Sequence, residues 1–239
     1  MMFTRCGTRI GLNVKKFRLD IPIKPEPRDR KDIRPFVFDI GDYVAGLKDP
    51  VYLMYRGVSS LNPVFRKLEK KYEIRYDLTL IRNGLMGRQY IRTVGHHHPK
   101  NYSEIYEVIQ GRAAFVLQSK DLKRMALILA KQGETVVIPP KFGHQTVNIG
   151  NTPLVIGNLV YRGFKSDYSI YKKKHGGAFY INKYTTPLWL MVNLNYGIAP
   201  IRFPKIKKLK GRKTGPIDRL FLKNPKRVAD FLKGRRKSL

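Results

Sequence analysis

The chain has one cysteine, Cys6, so no disulfide can close within it, and its cysteine usage gives no sign of an oxidising compartment; a reducing cytoplasm is the expected setting. Long apolar runs are also missing. The best stretches, around Val136 to Ile138 and Leu188 to Val192, fall far short of the roughly 20 residues a membrane-spanning helix needs. There is no internal repeat and no low-complexity segment, which removes solenoid architectures. Acids are scarce, with 17 Asp and Glu against 48 Lys and Arg and a formal net charge of +31.

So large an excess of base invites a nucleic-acid interpretation, because Lys and Arg gain affinity by releasing counterions from phosphates. Its distribution argues against one dedicated patch. Residues 201–239 hold 15 bases and two acids, leaving 33 bases and 15 acids on the rest, so the excess runs the whole length and is denser in the tail. Phe203, Phe221 and Phe231 lack the spacing of a base-stacking motif. The expectation is non-specific polyanion contact through 201–239.

At 239 residues, 42% hydrophobic, with 14 Tyr and 12 Phe, the chain can bury one good core but not two generous domains. Residues 1–35 read as a basic N-terminal arm, extended and exposed around Pro22, Pro25 and Pro27. Residues 36–185 form the domain proper, and 186–239 a basic C-terminal extension. Within the domain, short segments rich in β-branched and aromatic residues recur between Gly, Asn, Asp and Pro. They are Val51–Tyr55, Ile74–Ile81, Gln89–Val94, Ile105–Ile109, Ala113–Leu117, Met125–Ala130, Thr135–Ile138, Gln145–Asn148 and Leu154–Tyr161. Such spacing predicts an all-β sandwich or barrel. One short helix is expected after Asn62, which can cap it, with Pro63 at its first position. In the extension Val228, Phe231 and Leu232 fall at i, i+3 and i+4 on one face of a second short helix, able to dock on the barrel, lie on an anionic surface or fray. Trp189 is expected to pack against the barrel or a second subunit.

Two stretches carry the chemistry: Gly95-His96-His97-His98 running on to Glu104, and Pro139-Pro140-Lys141-Phe142-Gly143-His144 running on to Asn148. Side chains alternate on a strand, so His96 and His98 share one face and His97 takes the other. Glu104 returns after the loop from Pro99 to Ser103, and His144 joins from a later strand. Three imidazoles and a carboxylate suit iron, manganese, nickel or zinc. His175, alone, reads as an ordinary core or surface histidine. Thr79, Thr93 and Tyr106 are common strand residues on propensity alone.

The spacing His-x-His, five residues, Glu, six residues, Gly111 resembles the first motif of the cupins, and Gly133 to Pro139, His144 and Asn148 resembles the second. Within that superfamily, Thr93-Val94-Gly95-His96-His97-His98, Glu104-Ile105-Tyr106 and Pro139 through Gly150 are similar to the archaeal cupin-type glucose-6-phosphate isomerases. The resemblance covers about residues 48 to 170. It implies a double-stranded β-helix barrel, a homodimer, and one divalent ion per subunit, iron first, held by His96, His98, Glu104 and His144. It implies conversion of glucose 6-phosphate to fructose 6-phosphate and back, a step of glycolysis and gluconeogenesis, with Glu104 and Tyr106 as catalytic residues. Substrate contacts fall on Thr79, Thr93, Gly95, Tyr52 and Tyr168. Phe142 stands where the family has tryptophan, and Ser166 where it has histidine. Other readings stay open: a dioxygenase or a different sugar-phosphate isomerase on the same barrel, or an inactive cupin binding polyanions. On the isomerase reading the tail is an accessory, and deleting 201–239 is expected to leave activity almost unchanged, whereas on the polyanion-binding reading the same deletion weakens the association.

Overall fold

The computed structural model describes residues 2–37, 47–183, 189–197 and 207–239. The expectations for 201–206 and Phe203, and for the side chain of Trp189, lie outside the described residues.

Strands β1 (Met2–Arg5), β2 (Thr8–Asn13), β3 (Arg18–Asp20) and β4 (Glu26–Arg28) precede helix α1 (Arg30–Ile33) and β5 (Tyr52–Tyr55). Helix α2 (Pro63–Tyr72) leads into β6 (Ile74–Ile81), β7 (Leu85–Met86), β8 (Gln89–Tyr90), β9 (His96–His97), β10 (Glu104–Gln110) and β11 (Arg112–Ser119). Next come β12 (Met125–Lys131), β13 (Thr135–Ile138), β14 (Phe142–Asn148), β15 (Leu154–Tyr161), helix α3 (Ser169–Lys173), β16 (Phe179–Asn182) and β17 (Trp189–Val192). Strand β18 (Lys207–Lys210) and helices α4 (Ile217–Lys223) and α5 (Pro225–Leu232) end the chain.

A six-stranded sheet, ordered β13-β10-β15-β6-β5-β4, faces a five-stranded sheet, ordered β18-β12-β11-β14-β9. Tyr106, Val108, Phe115, Leu117, Ile128, Ile138 and Ile156 pack between them. The two sheets make a two-layered all-β barrel, the architecture that the sequence resemblance implies. Strand β15 is buried along almost its whole length because the six-stranded sheet is covered on both faces. Its outer side chains, among them Tyr55, Tyr76, Leu78, Ile105 and Leu159, lie under the N-terminal sheet and the C-terminal helices. Asn62 caps α2 as expected, its Oδ1 accepting from Val64 N at 2.9 Å and Phe65 N at 3.4 Å.

Around Pro22, Pro25 and Pro27 the arm is extended, with Pro22, Glu26 and Pro27 exposed and β4 added to the edge of the six-stranded sheet, but the residues before Pro22 are folded. Strands β1 to β3 form their own antiparallel sheet, and Ile10, Leu12, Phe17 and Leu19 are buried against the barrel. The proline and charge pattern masked this, because the apolar residues that drive the docking are few and spread over twenty positions. The extension docks too. Val228, Phe231 and Leu232 join the same apolar cluster, and β18 adds in parallel to β12. Buried Glu107 ties the parts together, accepting from Arg5 Nε, Tyr76 OH (2.6 Å) and the Ile217 N–H (3.1 Å). No described helix is long and apolar enough to cross a membrane.

Candidate metal centre and substrate pocket

Pairing of β9 with the edge of β14 sets His96 directly opposite His144. Period-2 alternation turns His97 away, onto Tyr171 at 5.4 Å between ring centroids. Gly95 makes this possible. Its φ is +82°, and a Cβ there would collide with Gln145 and with Tyr171 Cε1 at 2.6 Å, so only glycine allows β9 to approach this closely. Glu104 opens β10, and Asn158, opposite Tyr106 on β15, donates from Nδ2 to Glu104 Oε1 at 2.6 Å.

The four donor side chains converge, with ligand atoms all within 4.8 Å of one another. His96 Nε2 lies 3.1 Å from His98 Nε2, and Glu104 Oε2 lies 3.1 Å from His98 Nε2 and 3.4 Å from His144 Nε2. Glu104 Oε2 is buried without a hydrogen-bond donor. Burial, then the neighbouring imidazoles, hold His96 and His144 well below the usual histidine range. Both rings are therefore neutral with lone pairs available, the state that metal ligation requires. A buried carboxylate with an orphaned oxygen facing imidazoles fits a divalent cation and fits no satisfied hydrogen-bond network.

The donors open into a cavity of about 740 Å³ including its mouth, and Tyr52, Thr79, Thr93, Gly95, Tyr106 and Tyr168 all line it. The structure thus brings into one pocket every residue that the resemblance marks for metal, catalysis or substrate, while His97 and His175 stay outside it. Tyr106 OH lies 2.9 Å from His144 Nε2; burial and the charge of Glu104 push its ionisation well above the usual tyrosine range. Burial pushes Tyr52 up to about 12. The Tyr168 ring lies 5.4 Å from that of His96. Thr93 Oγ1 accepts from the Thr146 N–H at 3.0 Å.

A family model described as glucose-6-phosphate isomerase matches residues 29–195. The chain belongs to the glucose-6-phosphate isomerase family. It is similar to the glucose-6-phosphate isomerase of Thermococcus kodakarensis, 29% identical over 169 residues, 69% of this chain and 85% of that protein. The corresponding figures for Thermococcus gammatolerans are 28% over 150 residues, 62% and 75%. For Pyrococcus furiosus they are 28% over 109 residues, 44% and 56%. Among solved structures, the Lactobacillus farciminis oxalate decarboxylase formate complex is 20% identical, with a TM-score of 0.40 over 62% of this chain and 36% of that one.

In this member of the glucose-6-phosphate isomerase family the pocket also holds residues that sequence reasoning passed over: Arg56, Arg75, Asn158, Arg162 and Phe164. A signal for some of them existed. Arg75 lies four residues before Thr79 on β6, and Asn158 two before Val160 on β15, so strand alternation puts each on a face already turned to the pocket. Phe164, in a loop, had no such signal; its ring lies 4.8 Å from His98.

Proposed function

We propose that the protein is a metal-dependent aldose–ketose isomerase that interconverts glucose 6-phosphate and fructose 6-phosphate, acting in the cytoplasm as a homodimer. What carries this reading is the convergence of His96, His98, Glu104 and His144 at the floor of a pocket in a chain of this family. These four residues would hold one divalent ion, iron by preference, with manganese, nickel or zinc also compatible with imidazole and carboxylate. When bound, such an ion supplies Lewis acidity to the substrate oxygens.

The remaining chemistry belongs to the chain. Isomerisation moves hydrogen between adjacent carbons, and Glu104 is the carboxylate placed to take and return that proton through a cis-enediol. Asn158 fixes its Oε1, so the proton-accepting geometry does not have to be assembled during reaction. Tyr106, kept protonated at neutral pH, is a hydroxyl donor beside His144 for the oxygen that gains charge. Tyr52, Thr79, Thr93, Gly95 and Tyr168 position the sugar, while Phe164, Ile156 and Val160 give the pocket apolar lining.

The test is fructose 6-phosphate turnover with added divalent metal, read by coupled detection of glucose 6-phosphate and run beside metal analysis. Glu104→Gln is expected to lower kcat by at least about 100-fold, and chelation should abolish turnover reversibly. Full retention of activity in the chelated protein defeats the metal assignment. Solvent deuterium entering product carbon supports the enediol route; its exclusion favours direct hydride transfer between the two carbons. Sedimentation velocity reads the dimer.

A further inference from the structure

The loop that joins two of the four donors is held from outside the barrel. Pro99 to Ser103 is all that separates His98 from Glu104, and the end of α5 lies against it. We propose that Gly234 is a positioning residue for the donor set: by seating the C-terminal extension on Asn101, it fixes where His98 stands relative to Glu104. This rests on the metal reading of the four donors and not on the identity of the sugar. Helix α5 lies beyond the residues 29–195 that the family model matches, so the contact belongs to this chain's extension.

Gly234 ends α5. Its N–H donates to Phe231 O at 3.1 Å and the Arg235 N–H to Asp230 O at 2.8 Å, a closure that puts the glycine in the left-handed region at φ +71°. The missing side chain is what lets the loop approach. A Cβ at this position would collide with the Asn101 carbonyl oxygen and lie 3.0 Å from the carbonyl carbon, and backbone atoms cannot rotate aside as the tip of a side chain can. Beside it, Leu232 O accepts from the Ser103 N–H at 3.1 Å, so the extension grips the loop on both sides of Tyr102.

A push on Asn101 is transmitted toward His98. Glu104 is locked into β10 between Ile138 of β13 and Val160 of β15, whereas β9 ends at His97. His98 also has few other restraints. Its Nδ1 is buried with no hydrogen-bond partner among the described residues, where a ligating imidazole usually has one to orient it. Besides its fellow donors, the ring packs on Phe164 at 4.8 Å, and Phe164 stacks on Tyr102 of the same loop. Lys233 steadies the far side of that cluster, 4.8 Å over the Tyr161 ring, which in turn lies 4.9 Å from Tyr102.

The experiment uses Co²⁺ as the probe, measuring its affinity by competition with a chelator and the visible d–d bands of the bound ion, which report how its ligands are arranged. Wild type, Gly234→Ala and Gly215→Ala are compared. Gly215 controls for backbone strain, since it too is left-handed, at φ +77°, but a Cβ there meets nothing within 4 Å among the described residues. Both variants should lower the unfolding midpoint, because each forces alanine into a conformation that suits glycine. Only Gly234→Ala is expected to weaken Co²⁺ binding, by about 10-fold, and to shift the bands. Bands at their wild-type positions in Gly234→Ala, or affinity losses equal in the two variants, overturn the proposal and leave the metal reading standing. If wild type binds no Co²⁺, the metal reading falls and the proposal falls with it. Should circular dichroism show Gly234→Ala misfolded, Lys233→Met and Tyr102→Leu take its place. Each is expected to weaken Co²⁺ binding by about 2- to 5-fold and to move the bands, and wild-type values in either count against the positioning role.

Discussion

Glu104 has its two oxygens in different environments: Oε1 accepts from Asn158 Nδ2 at 2.6 Å, while Oε2 faces His98 and His144 without a donor. This asymmetry fixes the carboxylate so that its unshared oxygen points at the imidazoles. Removing the amide frees the group to rotate and leaves Oε1 buried and unpaired. Asn158→Ala is therefore expected to weaken metal binding by about 10- to 100-fold, as loss of a partner that orients a ligand generally does; a competition titration against a chelator measures it. His97 shows how position within one motif separates roles. One residue from two ligands, it packs on Tyr171 on the opposite face, and burial lowers its basicity to about 4, so it stays neutral and structural.

Helix α5 illustrates the element scale. Its apolar stripe is buried against the barrel's outer sheet, and its C-terminal end reaches the pocket's loops. Leu232 O accepts from the Ser103 N–H at 3.1 Å, and Lys233 sits 4.8 Å above the Tyr161 ring while pairing with Glu73 at 2.7 Å. Tyr102, beside Ser103, stacks on Phe164 at 5.0 Å and 11°, and Phe164 packs on His98. The extension thus buttresses the walls of the site, and the idea that 201–239 could be deleted with activity almost unchanged does not fit the described part of that stretch. Phe231→Ala should cost about 3–5 kcal/mol in denaturant unfolding, as emptying a buried aromatic site does. Leu222→Ala, at a position 43% exposed, should stay within about 0.5 kcal/mol.

For the molecule as a whole, charge is the dominant property. A net +31 sets up a positive field that concentrates phosphorylated substrate and also attracts polyanions without sequence preference. Heparin or duplex DNA is expected to bind at low salt and to lose affinity by about 1000-fold or more between 50 and 200 mM salt, if some six phosphates are contacted. A gel-shift series across that range checks it. Catalytic turnover at saturating substrate should vary far less, because charges within the pocket are screened less than those on the surface.

The central strands were legible in the sequence because each must place β-branched and aromatic residues in the core between turn residues; Ile74–Ile81, Thr135–Ile138 and Leu154–Tyr161 match the observed strands to the residue. The His96, His98, Glu104 and His144 grouping was legible through spacing, since donor chemistry at fixed intervals is local information. Other features depended on contacts between distant segments. Residues 2–20 fold as a sheet only because the barrel's outer face offers them an apolar surface, and α5 is fixed by the same surface instead of fraying. Arg56 and Arg162, 106 positions apart in the numbering, meet at one cavity only after β5 and the end of β15 are brought together on either side of β6. Sequence alone determined which chemistry the chain can hold, and the tertiary structure decided which charges face it, because long-range proximity leaves no local trace in the order of residues.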